Sequence, residues 1–510
     1  MNNAVRNVVN LILIASLAGG IITQINNIGS SYKLYYGLMH AHCMISDGVG
    51  TPEEAFAKAK SAGLDFFAIT PHNHTSCENG AGERRDGLMI ATDPRLYNSS
   101  STISATRTYT RNNRTVSENI TMKPLIMAAR DISSSGFLGI YGQEFSTISA
   151  GNHMNVFGYD DLIRTPNGNF SALIGLAESA ESIGTSVILQ MNHPDVQADL
   201  FYGGSDLEKM DEMYNDFGID AGDLGPEFSS MVARTDHFIK LVEVLSGPAM
   251  KKQRIENYRY TDPHENDYFF YLKQGFHLAP SAGQDNHYDT WGVMNDARMG
   301  VYAKSLSRED IFEAISHYRT FASEDKNLAV KFAVNNSFMG SMITLHAEDA
   351  MKISVELQDD DEPNTGYIIQ LVGGTIEAQN SRQARNWKFR DGVLFDTTVN
   401  GNGTYLIQSL LTTGSPEFYF VKVIQDDDDR AWTAPVWINH PEASITASLT
   451  SGSLTEGAPP LYFWSAKSSS HVYHRTGCPT LIKPENLQTG NTPPDGWRQH
   501  QCPFRTEYDD

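Results

Sequence analysis

At 510 residues the chain is too long for one ordinary hydrophobic core, so two or three domains are expected. Lys and Arg number 39 against 61 Asp and Glu, and the net charge of −22 argues against a nucleic-acid backbone as the main partner. Four cysteines in this length do not make a disulfide scaffold.

Residues 1–30 read as an export signal and leader. Arg6 precedes the apolar stretch Val8 to Ala15, and Ser16-Leu17-Ala18 offers small residues for cleavage after Ala18. The apolar stretch to Ile22 is short for a membrane span, so a periplasmic or secreted protein is expected, with an uncleaved anchor as the alternative. Short apolar runs then read as strands: Leu34 to Met39, Leu64 to Ile69, Leu138 to Tyr141, Val187 to Met191 and Phe276 to Pro280. Between the first two, Thr51-Pro52-Glu53-Glu54 reads as a helix start. Thr51 is the N-cap, Pro52 the first helical position and Glu54 the far side of a capping box, with the helix running to about Ser61 and Gly63 ending it.

Nine metal-ligand types follow those runs: His40, His42, Asp47, His72, Glu144, His153, His193, Asp285 and His287. Side chains just past strand C-termini converge on one face of a parallel sheet or barrel, so ligands distant in sequence become neighbours. His40-Ala-His42 puts two imidazoles on the same side of extended backbone, and Gly48 permits a sharp turn that aims Asp47 back at them. Any one of these has a plainer reading. Asp47 serves an Asx turn, Glu144 a solvated surface, Asp285 the orientation of His287, and Gly151-Asn152-His153 a turn. His74 reads as a residue at the rim of the site. Glu243, inside the apolar run Leu241 to Val244, reads as an acceptor behind the ligands or a residue facing a polar insert, and is outside the ligand set. Cys43 is expected to pack inward. An imidazole and carboxylate set suits zinc, manganese or iron and disfavours calcium or magnesium. Such metal ions lower the pKa of a bound water and supply hydroxide as nucleophile, without a side-chain nucleophile.

The set His40-Ala-His42, Ser46-Asp47-Gly48, Thr70 to Asn73, Glu144, His153, Asn192-His193-Pro194 and Asp285 to His287 resembles the polymerase-and-histidinol-phosphatase (PHP) superfamily of metallohydrolases. Within it the chain is most similar to the CehA/McbA-like branch. The resemblance covers roughly residues 33 to 325. It implies a distorted barrel of seven βα units holding two or three ions. His40, His42, Glu144 and Asp285 would hold one, Asp47, His72 and His287 a second, and Glu144 would bridge to a third at His153 and His193. Pro71 stands where the family usually has Asp, which bears on the substrate more than on the metals.

Two excursions interrupt the 31–325 region. Residues 75–114 are rich in Ser, Thr, Asn and Arg and border the expected pocket mouth. Residues 195–236 are strongly acidic and read as a solvated helical excursion or a charged lid. From 326 to 440 the pattern becomes short alternating runs, Ala329 to Val334, Met351 to Leu357, Tyr367 to Val372, Gly403 to Ile407, Phe418 to Ile424 and Ala434 to Ile438. Turns such as Asn335-Asn336 and Asn400 to Gly403 separate them, predicting an antiparallel β-sandwich, with Asp426 to Asp429 as a hairpin tip. A polar linker, 441–460, leads to a small module at 461–510. Its Tyr473-His474, Cys478, Ile482 to Leu487, Gly496-Trp497-Arg498, His500 and Cys502 resemble an Ada-like metal-binding module. That module normally uses four cysteines, and here zinc with His474 and His500, or a Cys478–Cys502 disulfide, are both open. Cys43 and Cys77 form a second candidate pair.

The fold class expected is therefore α/β: a distorted (βα)7 PHP-type barrel, an antiparallel β-sandwich and a small C-terminal module. The function expected is an exported multinuclear phosphoesterase acting on a small-molecule ester or phosphoester. Hydrolysis of a carbamate or carboxylic ester at the same site is the alternative chemistry, and a non-catalytic envelope binding protein the alternative class.

Overall fold

The computed structural model describes residues 31–73, 100–111, 114–145, 153–163, 165, 170–194, 232–261, 263–377 and 388–441, with four short strands between 462 and 499. The leader at 1–30, His74, Cys77, Cys478, His500, Cys502, most of the linker and the greater part of both excursions lie outside the described residues. The chain divides into two units, Met1–Pro441 and Glu442–Asp510.

In the first unit the order is β1 (Lys33–Leu38), α1 (Pro52–Ser61), β2 (Phe66–Ile69), β3 (Ile103–Arg111), β4 (Arg114–Met122), α2 (Leu125–Ile132), β5 (Leu138–Tyr141), β6 (Gln143–Phe145) and β7 (Met154–Phe157). Then come α3 (Phe170–Ser182), β8 (Ile188–Met191), β9 (Ile239–Ser246), α4 (Glu265–Lys273), β10 (Ala279–Gly283), β11 (Arg298–Ala303), α5 (Arg308–Ser316) and β12 (Thr320–Ser323). The remainder is all strand: β13 (Ala329–Val334), β14 (Ser337–Phe338), β15 (Met342–Thr344), β16 (Ala350–Gln358), β17 (Gly366–Thr375), β18 (Val393–Asn400), β19 (Gly403–Leu411), β20 (Glu417–Gln425), β21 (Arg430–Thr433) and β22 (Val436–Asn439).

Local signals act where the sequence puts them. Thr51 Oγ1 accepts from the Glu54 N–H at 3.1 Å while Glu54 Oε2 accepts from the Thr51 N–H at 2.9 Å, closing the capping box. Gly63 takes the left-handed conformation that stops the helix. Ala55, Phe56 and Ala59 bury one face of α1, and loss of the Thr51 hydroxyl alone is expected to cost about 1 kcal/mol.

No closed barrel forms among the described residues. One sheet runs β15-β22-β20-β21-β12-β11-β1-β2-β5, with β17 on β20 and β18 on β17, and a second runs β10-β9-β8-β7-β6. The connection 146–153 is shorter than the crossover a parallel pair needs, so β6 and β7 pair antiparallel, and β1 pairs antiparallel with β11. The two sheets are bonded to each other at the ends that carry the candidate ligands. There Met39 N–H bonds Ala282 O (3.1 Å), His42 N–H bonds Asn286 O (2.8 Å) and Glu144 N–H bonds Pro71 O (3.0 Å).

The strand-rich segment does not form a self-contained sandwich. Its β14-β13-β16-β19 sheet stands apart, but its other strands extend the large sheet, with β12 paired to β21 from Phe321↔Thr433 to Ser323↔Ala431. Asn400 to Gly403 carries the chain from β18 in one sheet to β19 in the other, so this turn is a corner and not a hairpin. Asp426 to Asp429 does cap the β20–β21 hairpin. Contacts across residue 325 are strong. Glu324 takes the Arg430 guanidinium at 2.6 Å, Glu265 takes Trp432 Nε1 at 2.9 Å, and Tyr268 OH donates to Thr433 O at 3.1 Å. One continuous cluster of buried side chains runs from Leu38 to Ile438.

In the second unit β23 (Tyr462–Trp464), β24 (Val472–Arg475), β25 (Gln488–Gly490) and β26 (Arg498–Gln499) form one sheet in the order β25-β23-β24-β26. His474 lies in β24 opposite Phe463. No helix among the described residues is long and apolar enough to cross a membrane.

This continuity predicts where the chain can be cut. A chain ending at Pro441 should unfold in one cooperative thermal transition within a few degrees of the full chain. One ending at Asp325 should show no cooperative transition, because Phe321 and Ala322 of β12 lose the strand that covers them. A cooperative transition in the shorter chain would contradict the shared sheet.

Candidate metal centre

Every candidate ligand but two sits on backbone immediately past, or inside, a strand at the junction of the two sheets. His40 and His42 extend β1. The 39–42 segment bonds to 282–286, and that pairing keeps both imidazoles on one side, with their Nε2 atoms 3.2 Å apart. Asp47 is in the turn closed by the Ser46 and Gly48 N–H groups on Cys43 O (3.1 and 3.0 Å). The glycine at 48 permits this turn through space and not through an unusual backbone angle. It does not take a positive φ; a Cβ there would lie 2.7 Å from the Cys43 backbone. His72 follows β2 and is bridged to Glu144 in β6. His153 precedes β7, His193 follows β8, and Asp285 and His287 follow β10. β10 starts three residues later than the apolar run predicts, at Ala279, so Asp285 leaves the strand almost at once.

The nine side chains form one cluster with Glu144 at its centre. Glu144 Oε1 lies 3.2 Å from His40 Nε2, 3.1 Å from His153 Nδ1 and 3.5 Å from His193 Nε2, while Oε2 lies 2.7 Å from His72 Nδ1 and 3.3 Å from His42 Nε2. Asn192 Nδ2 donates to Oε1 at 2.8 Å. Asp285 Oδ1 is 2.9 Å from His42 Nε2 and 3.3 Å from His40 Nε2, and Asp47 Oδ2 is 3.2 Å from His287 Nε2 and 3.7 Å from His72 Nε2. Among the described residues three overlapping groups have ligand atoms close enough to share an ion: His42, Asp47, His72 and His287; His40, His42 and Glu144; and His72, Glu144 and His153. Cys43 is buried and belongs to none of them.

These separations fit divalent transition metals. Bonds of about 2.1 Å from imidazole and carboxylate make the edges of a coordination polyhedron about 3.0 to 3.4 Å, the spacing seen between most pairs here. Tautomers also fit. His287 Nδ1 lies 2.8 Å from Asp285 O, an N–H bond that leaves Nε2 as the ligating atom, and His40 Nδ1 lies 3.0 Å from Glu243 Oε1, which leaves its Nε2 toward the cluster.

The fields inside the cluster are strong. Burial pushes His40 and His42 down, but for His40 the Glu243, Asp285 and Glu144 carboxylates outweigh it and hold the group well up. His42 is pushed up to about 10 by Asp285 and Glu144 against its burial. Burial raises Glu144, Asp285 and Asp47, yet all three end below the usual carboxylate range. His72, His153 and His40 hold Glu144 down, His40, His42 and His287 hold Asp285, and His287, His42 and His72 hold Asp47. His153 falls instead, chiefly through burial. His40, His42 and Glu144 have no exposed side-chain surface, whereas Asp47 and His193 are 29 % and 24 % exposed, so the cluster opens toward those two.

Several supporting residues carry no sequence motif. Trp291 Nε1 donates to His42 O at 2.9 Å. Gln284, Asn286, Thr290 and Asn295 form a buried chain: Asn286 Nδ2 to Gln284 Oε1 (2.8 Å), Thr290 Oγ1 to Asn286 Oδ1 (2.9 Å) and Gln284 Nε2 to Asn295 Oδ1 (2.8 Å). That chain holds Asp285 at φ +49, a strained value for a residue other than glycine. Gly283 allows the close approach of β10 to the ligands: a Cβ there would fall on Glu243 Oε1 and 2.6 Å from His40 Cβ. The glycine was visible in the sequence, but its reason appears only once β1 and β9 are in place.

No family model matches the chain. A curated relative, an uncharacterized protein of Chlamydia muridarum, is 22 % identical over 143 residues, 27 % of this chain and 22 % of its own length, so the match spans about a fifth of that relative. Among solved structures, a two-domain protein from Bacteroides vulgatus containing a predicted PHP-like metal-dependent phosphoesterase is 15 % identical. It covers 80 % of this chain and 96 % of its own, with a TM-score of 0.35. A protein from Bifidobacterium adolescentis, provisionally named a metal-dependent phosphoesterase, is 13 % identical over 55 % of this chain and 95 % of its own, with a TM-score of 0.25. TM-scores of this size do not establish a shared fold.

Two expectations follow from the geometry. Gly283→Ala should destabilise the chain by about 1 to 3 kcal/mol through overpacking and weaken zinc binding about tenfold, read by thermal unfolding and metal titration. Unchanged zinc affinity would separate Gly283 from the centre. Second, His42, pushed up to about 10, carries a proton at pH 7 that it must release to become a ligand. Metal uptake should therefore release protons, and apparent affinity should rise with pH through the neutral range by about tenfold per unit for each proton released. Titration calorimetry in buffers of different ionisation enthalpy reads this directly, and buffer-independent heats would contradict it.

Proposed function

We propose that the chain is a metal-dependent phosphoester hydrolase of the PHP type. One observation carries the reading: a fully buried Glu144 carboxylate faced by five imidazoles, with Asp47, Asp285 and His287 closing the cluster. In this reading His40, His42, Glu144 and Asp285 would hold one divalent ion, Asp47, His72 and His287 a second, and Glu144, His153 and His193 a third. Such ions, when bound, would polarise the ester oxygen and supply a water acidic enough to attack at neutral pH.

The protein's own groups do the rest. Burial of His40, His42 and Glu144 keeps bulk water from the rear of the centre, so charge interactions there act at low dielectric. The Asn192 amide fixes the rotation of Glu144, and the Asp285 carbonyl fixes that of His287. Substrate approaches on the side of Asp47 and His193, the most exposed of the nine. A carboxylic ester or carbamate would meet the same groups, and a substrate panel decides between them.

Protein purified with zinc or manganese present should hold at least two ions per chain by elemental analysis. Less than one equivalent would defeat the proposal. Chelation should abolish phosphoester turnover, and zinc or manganese should restore it. Glu144→Gln should keep its fold by circular dichroism, lose an ion and lose about 100-fold or more in kcat/KM. Wild-type turnover in that variant would remove Glu144 from the centre, and turnover of carboxylic esters alone would replace the phosphoester assignment.

A further inference from the structure

We propose that Glu243 is a positioning residue that ties the ion position at His40 to the ion position at His193. The inference rests on the metal-centre reading above and adds a coupling between its parts. Glu243 is fully buried in β9, in the run Ile239–Ser246 where its neighbours Leu241, Val242, Val244 and Leu245 are all buried and apolar. A carboxylate in such a place is costly unless its oxygens are bonded, and an apolar residue of the same size would serve the core better. Both oxygens are bonded, and both partners belong to the candidate ligand set. Oε1 lies 3.0 Å from His40 Nδ1, and Oε2 accepts from the backbone N–H of His193 at 2.7 Å.

The two bonds do different things. The first holds a proton on His40 Nδ1, so that Nε2, 3.2 Å from Glu144 Oε1 and 3.3 Å from Asp285 Oδ1, is the atom that would give up its proton to an ion shared with those oxygens. The second anchors His193 at φ +31, a left-handed conformation its side chain disfavours, and so aims its Nε2 to 3.5 Å from Glu144 Oε1. One rigid carboxylate thus sets a ligand from the end of β1 and a ligand from the end of β8. Gly283, with no Cβ, leaves the space in which it lies. A shift of Glu243 that spoils one ligand spoils the other.

Glu243→Gln separates this role from simple packing, because it keeps the volume and offers only one acceptor. Whichever way the amide turns, one bond fails: its NH2 either meets the Nδ1 proton of His40, forcing the other tautomer, or meets the N–H of His193. Cobalt(II) titration of the full-length chain, followed by its visible absorption bands, resolves the binding steps. The variant should fold like the wild type without metal, by circular dichroism, and lose about 10- to 100-fold in affinity at two cobalt-binding steps. Unchanged affinities, or weakening of a single step, would overturn the tie between the two positions. If the wild type itself takes up no cobalt, it is the metal-centre reading that fails. Should the variant not fold, nitrogen-15 histidine spectra of the zinc-loaded wild type decide instead: a proton on His40 Nδ1 is the expected result, and one on Nε2 overturns the proposal.

Discussion

An ionised carboxylate with no exposed surface, placed among five imidazoles, is the constraint around which the rest of the molecule is arranged. Burying a lone carboxylate costs several kcal/mol even after relaxation, so Glu144 demands positive charge close by. Protons on His40 and His42 supply some of it, which is why those two rings are held up in spite of their burial. A cation shared among the same atoms supplies it more completely, since it can be met by several donors at once. The ligand distances and the tautomers both point to that arrangement.

Holding so many polar groups together requires a backbone that does not relax. Two sheets are bonded together at this point, through 39–42 against 282–286 and 71–73 against 144. Two residues, His193 and Asp285, sit in left-handed conformations there. Such strain persists where surrounding bonds over-determine the chain, as the Gln284 to Asn295 network does beneath Asp285. The large sheet carries that rigidity on into the strand-rich segment through β12 and β21. The C-terminal strands of the first unit are therefore part of the support for the centre and not an appendage to it.

The parts of this arrangement that were legible in the sequence are those governed by short-range chemistry. Thr51 to Glu54 announces its capping box because every participant lies within one turn. The pairing of His40 with His42 follows from the two-residue period of extended chain, and β5 is an apolar run with the bounds expected. What was hidden depends on distant partners. β10 is built from Ala279, Pro280, Ser281, Ala282 and Gly283, small residues of which Gly283 admits the close approach of His40 and Glu243, so the apolar run Phe276 to Pro280 marks only its first two residues. β18 alternates regularly but with Asp396 and Thr398 on its exposed side, and gives little apolar signal. The expected boundary at 325 fails to mark a break in the sheet because the shift from mixed elements to strands is a change of pattern, while β12 and β21 are joined by register. The apolar run around Glu243 sets it apart in the sequence, but only the fold identifies His40 and His193 as its partners.

The central claim is that these side chains gather around metal ions. Anomalous X-ray diffraction from crystals of the zinc-loaded protein, measured on both sides of the zinc absorption edge, tests it most directly. The account predicts at least two edge-dependent peaks within bonding distance of Glu144 and of the Asp47, His72 and His287 group. Density free of such peaks at the cluster, or zinc bound only elsewhere on the chain, would contradict it.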